Sequence, residues 1–74
     1  MTIPIGSTIR QIREGQGLHL REVAERIPTS FSYLWEVERE NKTPSMPMLE
    51  SIAKALDLET AELWFAIYKN MGAK

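Results

Sequence analysis

Apolar residues recur at helical spacing along most of the chain, and the pattern is clearest in the middle. One stripe there has the i, i+3, i+4, i+7 spacing of a helix face, formed by Leu20, Val23, Ala24 and Ile27. Pro28 predicts the end of this helix because proline disfavours helical geometry in the residue before it. The pattern therefore predicts a short helix that ends just before a tight turn.

A second short helix is expected directly after that turn. Ser30 is a favourable N-cap residue, and Leu34 and Val37 lie three positions apart, so that both point inward. Ala24 in the first helix is small enough for two steeply crossing helices to approach closely. A pair of this size cannot bury its own apolar faces, so we expect helices before and after it to complete the core.

The flanking sequence supplies those helices. We expect a first helix from about Ser7 to Gln16, ended by Gly15 and Gly17, and a fourth helix opened by Ser45 as N-cap. A fifth helix should run from about Thr60 to Asn70. The apolar positions of the flanking helices are Ile5, Ile9 and Ile12 in the first and Met48, Leu49, Ile52, Ala53 and Leu56 in the fourth. The prediction is an all-α protein with five helices in a single domain, 1–74.

The last predicted helix carries more apolar surface than one narrow stripe requires. Leu63, Trp64, Ile67 and Met71 share a face, whereas Phe65 and Tyr68 lie off it. This surplus predicts a contact with the same helix of another chain, unless the tail folds back and buries it. The expected interface of a homodimer consists of Trp64, Phe65, Ile67, Tyr68 and Met71.

Composition narrows the possible functions. The chain has 74 residues, no cysteine and one histidine, so disulfides, metal sites and a Ser-His-Asp arrangement are not expected. It contains no apolar run long enough to span a membrane and no recognisable secretory leader. We therefore expect a cytoplasmic protein that is not an enzyme and has no cofactor, no metal and no small-molecule site.

The central helix pair resembles the helix-turn-helix of the lambda-repressor/Cro-like (XRE-type) DNA-binding family. The resemblance lies in Ala24, in the inward Leu34 and Val37, and in the stretch Tyr33–Arg39 followed by Pro44-Ser45; it extends from about Ile5 to Leu63. Two positions depart from the family, because Pro28 and Glu40 stand where it usually has glycine. Proline cannot adopt positive φ, so no left-handed residue is expected at Pro28, and Asn41 is expected to take that geometry at the second site.

The resemblance implies that helix 3 enters the major groove of DNA and contacts base edges. The residues at the base-contacting positions are Phe31, Ser32, Tyr33 and Glu36. Phe31 can pack on a thymine methyl group or back on the turn, and Glu36 can accept a hydrogen bond from cytosine N4. Tyr33 can alternatively bond to a phosphate. Trp35 has three open placements: against helix 4, on DNA, or facing a protein partner.

The resemblance also implies a set of contacts to the DNA backbone and one internal ion pair. The residues expected at phosphates are His19, Arg21, Arg39, Asn41, Lys42 and Thr43. For His19 and for the loop after helix 3, simple solvation is the alternative. Arg13 is expected to form a partly buried ion pair with Glu38, a structural contact that is costly to break.

The net charge of −1 leaves two function classes open. One is a transcriptional regulator, repressor-like, that binds operator-type double-stranded DNA as a homodimer. The other is a protein-interaction module on the same fold, similar to an antitoxin or anti-regulator, that binds a protein through aromatic residues of helix 3 or helix 5. Basic residues gathered beside helix 3 would favour DNA, because DNA-binding surfaces are usually basic.

Overall fold

Five helices form the part of the chain that the computed structural model describes, residues 3–72, and no strand occurs among those residues. They are α1 (Ile5–Gly15), α2 (Leu20–Glu25), α3 (Phe31–Glu38), α4 (Met46–Ala55) and α5 (Thr60–Asn70). The all-α, five-helix prediction is confirmed, and the predicted bounds of the fifth helix match the observed ones.

One apolar core joins all five helices. Each helix contributes apolar side chains from the stripe that its sequence spacing defines. Five side chains are fully buried at the centre of the core: Leu34, Val37, Ile52, Leu56 and Leu63. Ile12, Leu20, Met48 and Trp64 are half-buried and pack against the outside of this core. Burial of these side chains is the main source of stability, since short helices are marginal by themselves.

The α2–α3 turn is built without a left-handed residue, as expected from Pro28. α2 ends at Glu25, and none of the positive-φ residues lies between α2 and α3. The N–H of Thr29 donates to the carbonyl of Ile27 across Pro28, at 2.8 Å, which closes a three-residue turn. Ser30 then caps α3 by accepting a hydrogen bond from the N–H of Tyr33.

The predicted start of the first helix was wrong by two residues, because α1 begins at Ile5 rather than near Ser7. The physical reason is a cap from a distant side chain. The carboxylate of Glu40 accepts hydrogen bonds from the N–H groups of Gly6 and Ser7, at 3.3 and 3.0 Å, and from the Ser7 hydroxyl at 3.0 Å. A negative charge at a helix N-terminus also interacts favourably with the helix dipole.

The left-handed residue at the end of α3 is Glu40 itself, with φ of 65°, and not Asn41 as predicted. The N–H of Asn41 bonds to the carbonyl of Glu36, and the N–H of Glu40 bonds to that of Val37, which is a Schellman ending. The same pattern of hydrogen bonds follows α1 and α4, with Gly17 and Asp57 as the left-handed residues. A residue with a Cβ is strained in this conformation, so Glu40 holds it at a cost that its cap on α1 offsets.

Gly6 allows α1 and α3 to approach closely at the same place. A Cβ on Gly6 would lie 1.9 Å from the carbonyl oxygen of Val37, which is far inside van der Waals contact. The start of α1 therefore rests directly on the backbone at the end of α3. This contact and the Glu40 cap together fix the position of the C-terminal end of α3.

We predict that the two functions of Glu40 can be separated by substitution. Glu40→Ala removes the cap and keeps the strained φ, whereas Glu40→Gly removes the cap and relieves the strain. The glycine variant should therefore be more stable than the alanine variant, by about 1 kcal/mol in the free energy of unfolding. Urea denaturation of both variants measures this difference. Equal stabilities would show that the left-handed conformation at this position carries no cost.

Candidate nucleic-acid interface

The orientation of α3 is fixed by an ion pair with α1. Arg13 Nε and Nη2 donate to the two carboxylate oxygens of Glu38, at 2.7 and 2.9 Å, and Arg13 Nη1 donates to the carbonyl of Leu18 at 2.8 Å. The hydrogen bonds to Glu38 raise the pKa of the Arg13 guanidinium, although its burial acts in the opposite direction. The predicted, partly buried pair is confirmed. Because Glu38 is buried and Arg13 is largely covered, removing either would leave an uncompensated charge.

The outward surface of α3 contains the residues expected to contact bases. Phe31 and Ser32 are exposed on its first turn, whereas Tyr33 is half-buried and packs against the core. Glu36 lies one turn after Ser32 and is half-buried. Phe31, Ser32 and Glu36 are therefore presented together, while most of Tyr33 faces inward.

The Glu36 carboxylate is held in place from the following loop. Asn41 Nδ2 donates to Glu36 Oε1 at 2.8 Å, so one carboxylate oxygen is occupied and the other remains available as an acceptor. Asn41 is predicted to contact a phosphate, and in the structure its side-chain amide donates to Glu36. An oriented carboxylate of this kind has the geometry to accept a hydrogen bond from the exocyclic amine of cytosine.

The first part of the loop between α3 and α4, residues 39–43, is exposed. Lys42 and Thr43 lie at its surface and line a shallow depression together with Glu40. Arg39, at the C-cap of α3, places its guanidinium carbon 4.3 Å from the centre of the Trp35 ring. This contact places Trp35 beside a cation on the exposed side of α3. The sequence alone did not decide between the three placements considered for Trp35.

The N-terminal end of α2 carries the other two residues expected at phosphates. Arg21 lies on the exposed side of α2, with its guanidinium carbon 4.8 Å from the centre of the Phe31 ring. His19 is the exposed N-cap, and its backbone N–H donates to the carboxylate of Glu22 at 2.8 Å. An acidic side chain thus already lies at this helix terminus, which makes the site less favourable for a phosphate than the sequence suggested.

Charge is distributed unevenly over the described residues, so the net charge says little about the α3 surface. Two of the ten acidic residues, Glu38 and Glu40, form hydrogen bonds with groups of α1. Four more line depressions between α4 and α5: Glu50, Asp57, Glu59 and Glu62. The acids near α2 and α3 are Glu22, Glu25 and Glu36. The α3 surface is therefore less acidic than the composition implies, with Arg21 and Arg39 beside its aromatic residues.

The surface of α5 agrees only in part with the predicted dimer interface. Phe65 and Tyr68 are 62% and 58% exposed, and Met71 is also exposed, so their apolar area is accessible. Ile67 is only 1% exposed and belongs to the core of the monomer, because it packs inward with Leu63. Ile67 was therefore wrongly included in the predicted interface. Trp64 is half-buried against the same core.

The end of α5 is also tied to α1. Asn70 Nδ2 donates to Thr8 Oγ1 at 2.8 Å and to Gln11 Oε1 at 3.0 Å. Thr8 is buried, and its hydroxyl donates in turn to the carbonyl of Pro4. One face of α5 is thus docked on the domain, and the opposite face, with Phe65 and Tyr68, is left open.

Two features of this surface were not predicted from the sequence. The i, i+4 spacing of Trp35 and Arg39 was a signal for their contact, since residues one turn apart meet on a helix surface. The contact between Arg21 and Phe31 joins two helices, and it depends on the angle at which α2 crosses α3.

Among residues 3–72 no group of acidic or histidine side chains is arranged to hold a metal ion, and none of the helices has the length and apolar character to cross a membrane.

A family model described as helix-turn-helix matches residues 9–63, about three-quarters of the chain. The chain belongs to the helix-turn-helix family. The matched segment begins inside α1 and ends inside α5, so it includes the α2–α3 pair and the loop that follows it. The lambda-repressor-like (XRE-type) resemblance of the sequence is thereby confirmed.

Named regulators are among the relatives. The chain is 43% identical to the transcriptional regulator ClgR of Mycobacterium tuberculosis over 54 residues, which are 73% of this chain and 48% of that protein. It is 38% identical to the HTH-type transcriptional regulator SinR of Bacillus subtilis over 60 residues, 80% of this chain and 54% of SinR. The chain thus spans about half the length of these curated relatives.

Solved structures share the arrangement of helices. The clp gene regulator ClgR from Corynebacterium glutamicum superposes with a TM-score of 0.88 at 33% identity, over 95% of this chain and 74% of that one. The restriction-modification controller protein C.AhdI from Aeromonas hydrophila gives a TM-score of 0.77 at 31% identity, over 82% and 92% of the two chains. These similarities agree with the all-α, lambda-repressor-like fold described above.

Proposed function

We propose that this protein is a DNA-binding transcriptional regulator, rather than an enzyme, and that it places α3 in the major groove. The observation that carries the proposal is the grouping of Ser32, Phe31 and Glu36 on the exposed side of a helix with two arginines beside it. Family membership supports the same conclusion, since the matched relatives are named as transcriptional regulators.

The proposed division of contacts follows from exposure and hydrogen bonding. Ser32 and Glu36 contact base edges, and the Phe31 ring packs on an apolar group such as a thymine methyl. Arg21, Arg39, Lys42 and Thr43 contact phosphates on either side of the groove. His19 and Tyr33 make weaker contributions, because an acidic side chain lies beside His19 and most of Tyr33 faces inward.

We further propose that the protein acts as a homodimer joined through the open face of α5. Two linked copies convert the second DNA contact into an intramolecular one, which raises the overall affinity without new contacts in either copy. This matters for a chain with few cations, because each copy can neutralise only a few phosphates.

The interface consists of Phe65, Tyr68 and Met71 with the edge of Trp64. A two-fold dimer places its two α3 helices about 34 Å apart, so the operator is an inverted repeat. Where such a site overlaps a promoter, the bound dimer would act as a repressor by excluding other proteins from it.

One observation supports a second candidate, a module that binds a protein partner. Phe31 and Trp35 expose 37% and 43% of their surface on the outer side of α2 and α3, and aromatic residues are enriched at protein interfaces. The two candidates differ in how binding depends on salt and on the sequence of the duplex. The experiment below therefore distinguishes them.

The main prediction compares a base contact with a phosphate contact by fluorescence anisotropy, with duplexes from the region around the protein's own gene. Glu36→Ala should relax the preference at one base pair by about 1–3 kcal/mol, because one acceptor is lost. Lys42→Ala should instead weaken binding to all sequences alike and lower the salt slope by about one unit.

Lys54→Ala is the matched control, because it removes one cation among the acidic residues of α4 and α5 and should change neither quantity. Binding that is undetectable at low salt would contradict the proposed function and favour a protein partner. If Lys42→Ala leaves the slope unchanged, the loop after α3 does not contact phosphate.

A separate prediction tests the dimer. Replacing Phe65 and Tyr68 together by serine should give a folded monomer in sedimentation, because both side chains are largely exposed and contribute little to the core. Affinity for an inverted-repeat duplex should fall sharply while helicity measured by circular dichroism is retained. Ile67→Ser serves as the contrast, since it should unfold the domain rather than dissociate it. A wild-type protein that remains monomeric at high concentration, yet binds a half-site tightly, would defeat the dimer proposal.

A further inference from the structure

The five arginines of the chain fall into two groups according to their partners. Three use their N–H donors in intramolecular contacts: Arg13 with Glu38, Arg10 with Glu14 at 3.1 Å, and Arg26 with the carbonyl of Ala55 at 2.8 Å. Arg21 and Arg39 make no side-chain hydrogen bond or ion pair within residues 3–72, and each lies over an aromatic ring. These two arginines are also the ones next to α3.

The two rings lie on one side of α3, one turn apart. Phe31 and Trp35 line the same shallow depression, which also includes the buried Arg13–Glu38 pair. Because the two charges of that pair compensate each other, the depression contains no uncompensated buried charge. The guanidinium carbons of Arg21 and Arg39 are 4.8 and 4.3 Å from the respective ring centres, well within the range of cation–π attraction.

A contact of this kind holds a guanidinium without using its hydrogen-bond donors. The attraction is between the cation and the face of the ring, so all five N–H donors of each arginine remain available to another acceptor. An arginine that is already held loses less side-chain freedom when it binds a phosphate than a mobile one does. Lysine has no planar group and would gain less from the same ring.

We propose that Trp35 is a positioning residue for phosphate binding, which holds Arg39 beside the recognition helix so that Arg39 binds the DNA backbone. The inference rests on the proposed function and extends it, because it assigns a function to Trp35 that does not require contact with a base. It also explains how a chain with a net charge of −1 concentrates cations where they are needed.

The test measures binding to a fluorescent duplex of mixed sequence, about two helical turns long, between about 50 and 200 mM salt. Arg39→Ala should lower the salt slope by about one unit for each bound protomer. Trp35→Ala should weaken binding by about 2- to 5-fold, the loss expected for an exposed cation–π contact, and should also lower the slope. Trp35→Phe should retain wild-type binding within about 2-fold, because the ring face is kept.

The double variant decides whether Trp35 acts through Arg39. If it does, Trp35→Ala combined with Arg39→Ala should bind no more weakly than Arg39→Ala alone. Trp35→Leu provides a second probe, because it keeps apolar area on α3 without the ring face and should behave as Trp35→Ala does. Circular dichroism establishes that each variant retains its helicity.

The possible failures are distinguishable from one another. Additive losses in the double variant, or wild-type binding by Trp35→Leu, would overturn the positioning function of Trp35 and leave the proposed DNA binding intact. A wild-type protein that shows no salt-dependent binding to the duplex would overturn the proposed function itself.

Discussion

The contact between the start of α1 and the end of α3 is the constraint on which the rest of the structure depends. Gly6 lets the two backbones approach, and the Glu40 carboxylate then caps α1 from the residue that ends α3. Further along α1, Arg13 donates two hydrogen bonds to the carboxylate of Glu38. The backbone contact, the helix cap and the ion pair all connect α1 to the C-terminal end of α3. Together they fix the tilt of α3 before any partner binds.

This arrangement has a consequence for binding, because it determines which charges are left for a partner. Glu38 and Glu40 are acidic residues at the end of α3 and in the turn after it, and both carboxylates form hydrogen bonds with α1. The cations that remain beside α3 are Arg21, Arg39 and Lys42. In the proposed function, the internal contacts that stabilise the fold also remove negative charge from the side that faces DNA.

Much of the fold could be predicted from the sequence because it depends on local signals. The serine caps, Pro28 and the apolar stripes each lie within a few residues of the helix end or helix face that they define. The helix-turn-helix and the bounds of α5 were therefore predicted correctly. The N-terminus of α1 was not, because its cap comes from Glu40, which is 34 residues away from Gly6. Ile67 was misplaced for a related reason, since a broad apolar surface does not show which side a neighbouring helix will cover.

The candidate site, like the fold, was predicted where it depends on local spacing and missed where it depends on the path of the chain. The exposed side of α3 followed from helical spacing. The bonding of Asn41 to Glu36 was not predicted, because the sequence placed the left-handed residue of this turn at Asn41, whereas the structure has it at Glu40.

The most direct test of the central claim is to map changes in backbone amide resonances when an operator-type duplex is added to the protein. The account predicts that the largest changes fall at residues 31–36 and in the loop 39–43, while the acidic turn between α4 and α5 is unaffected. Changes confined to α5, or an absence of changes at low salt, would contradict the conclusion that α3 is the DNA-contacting element.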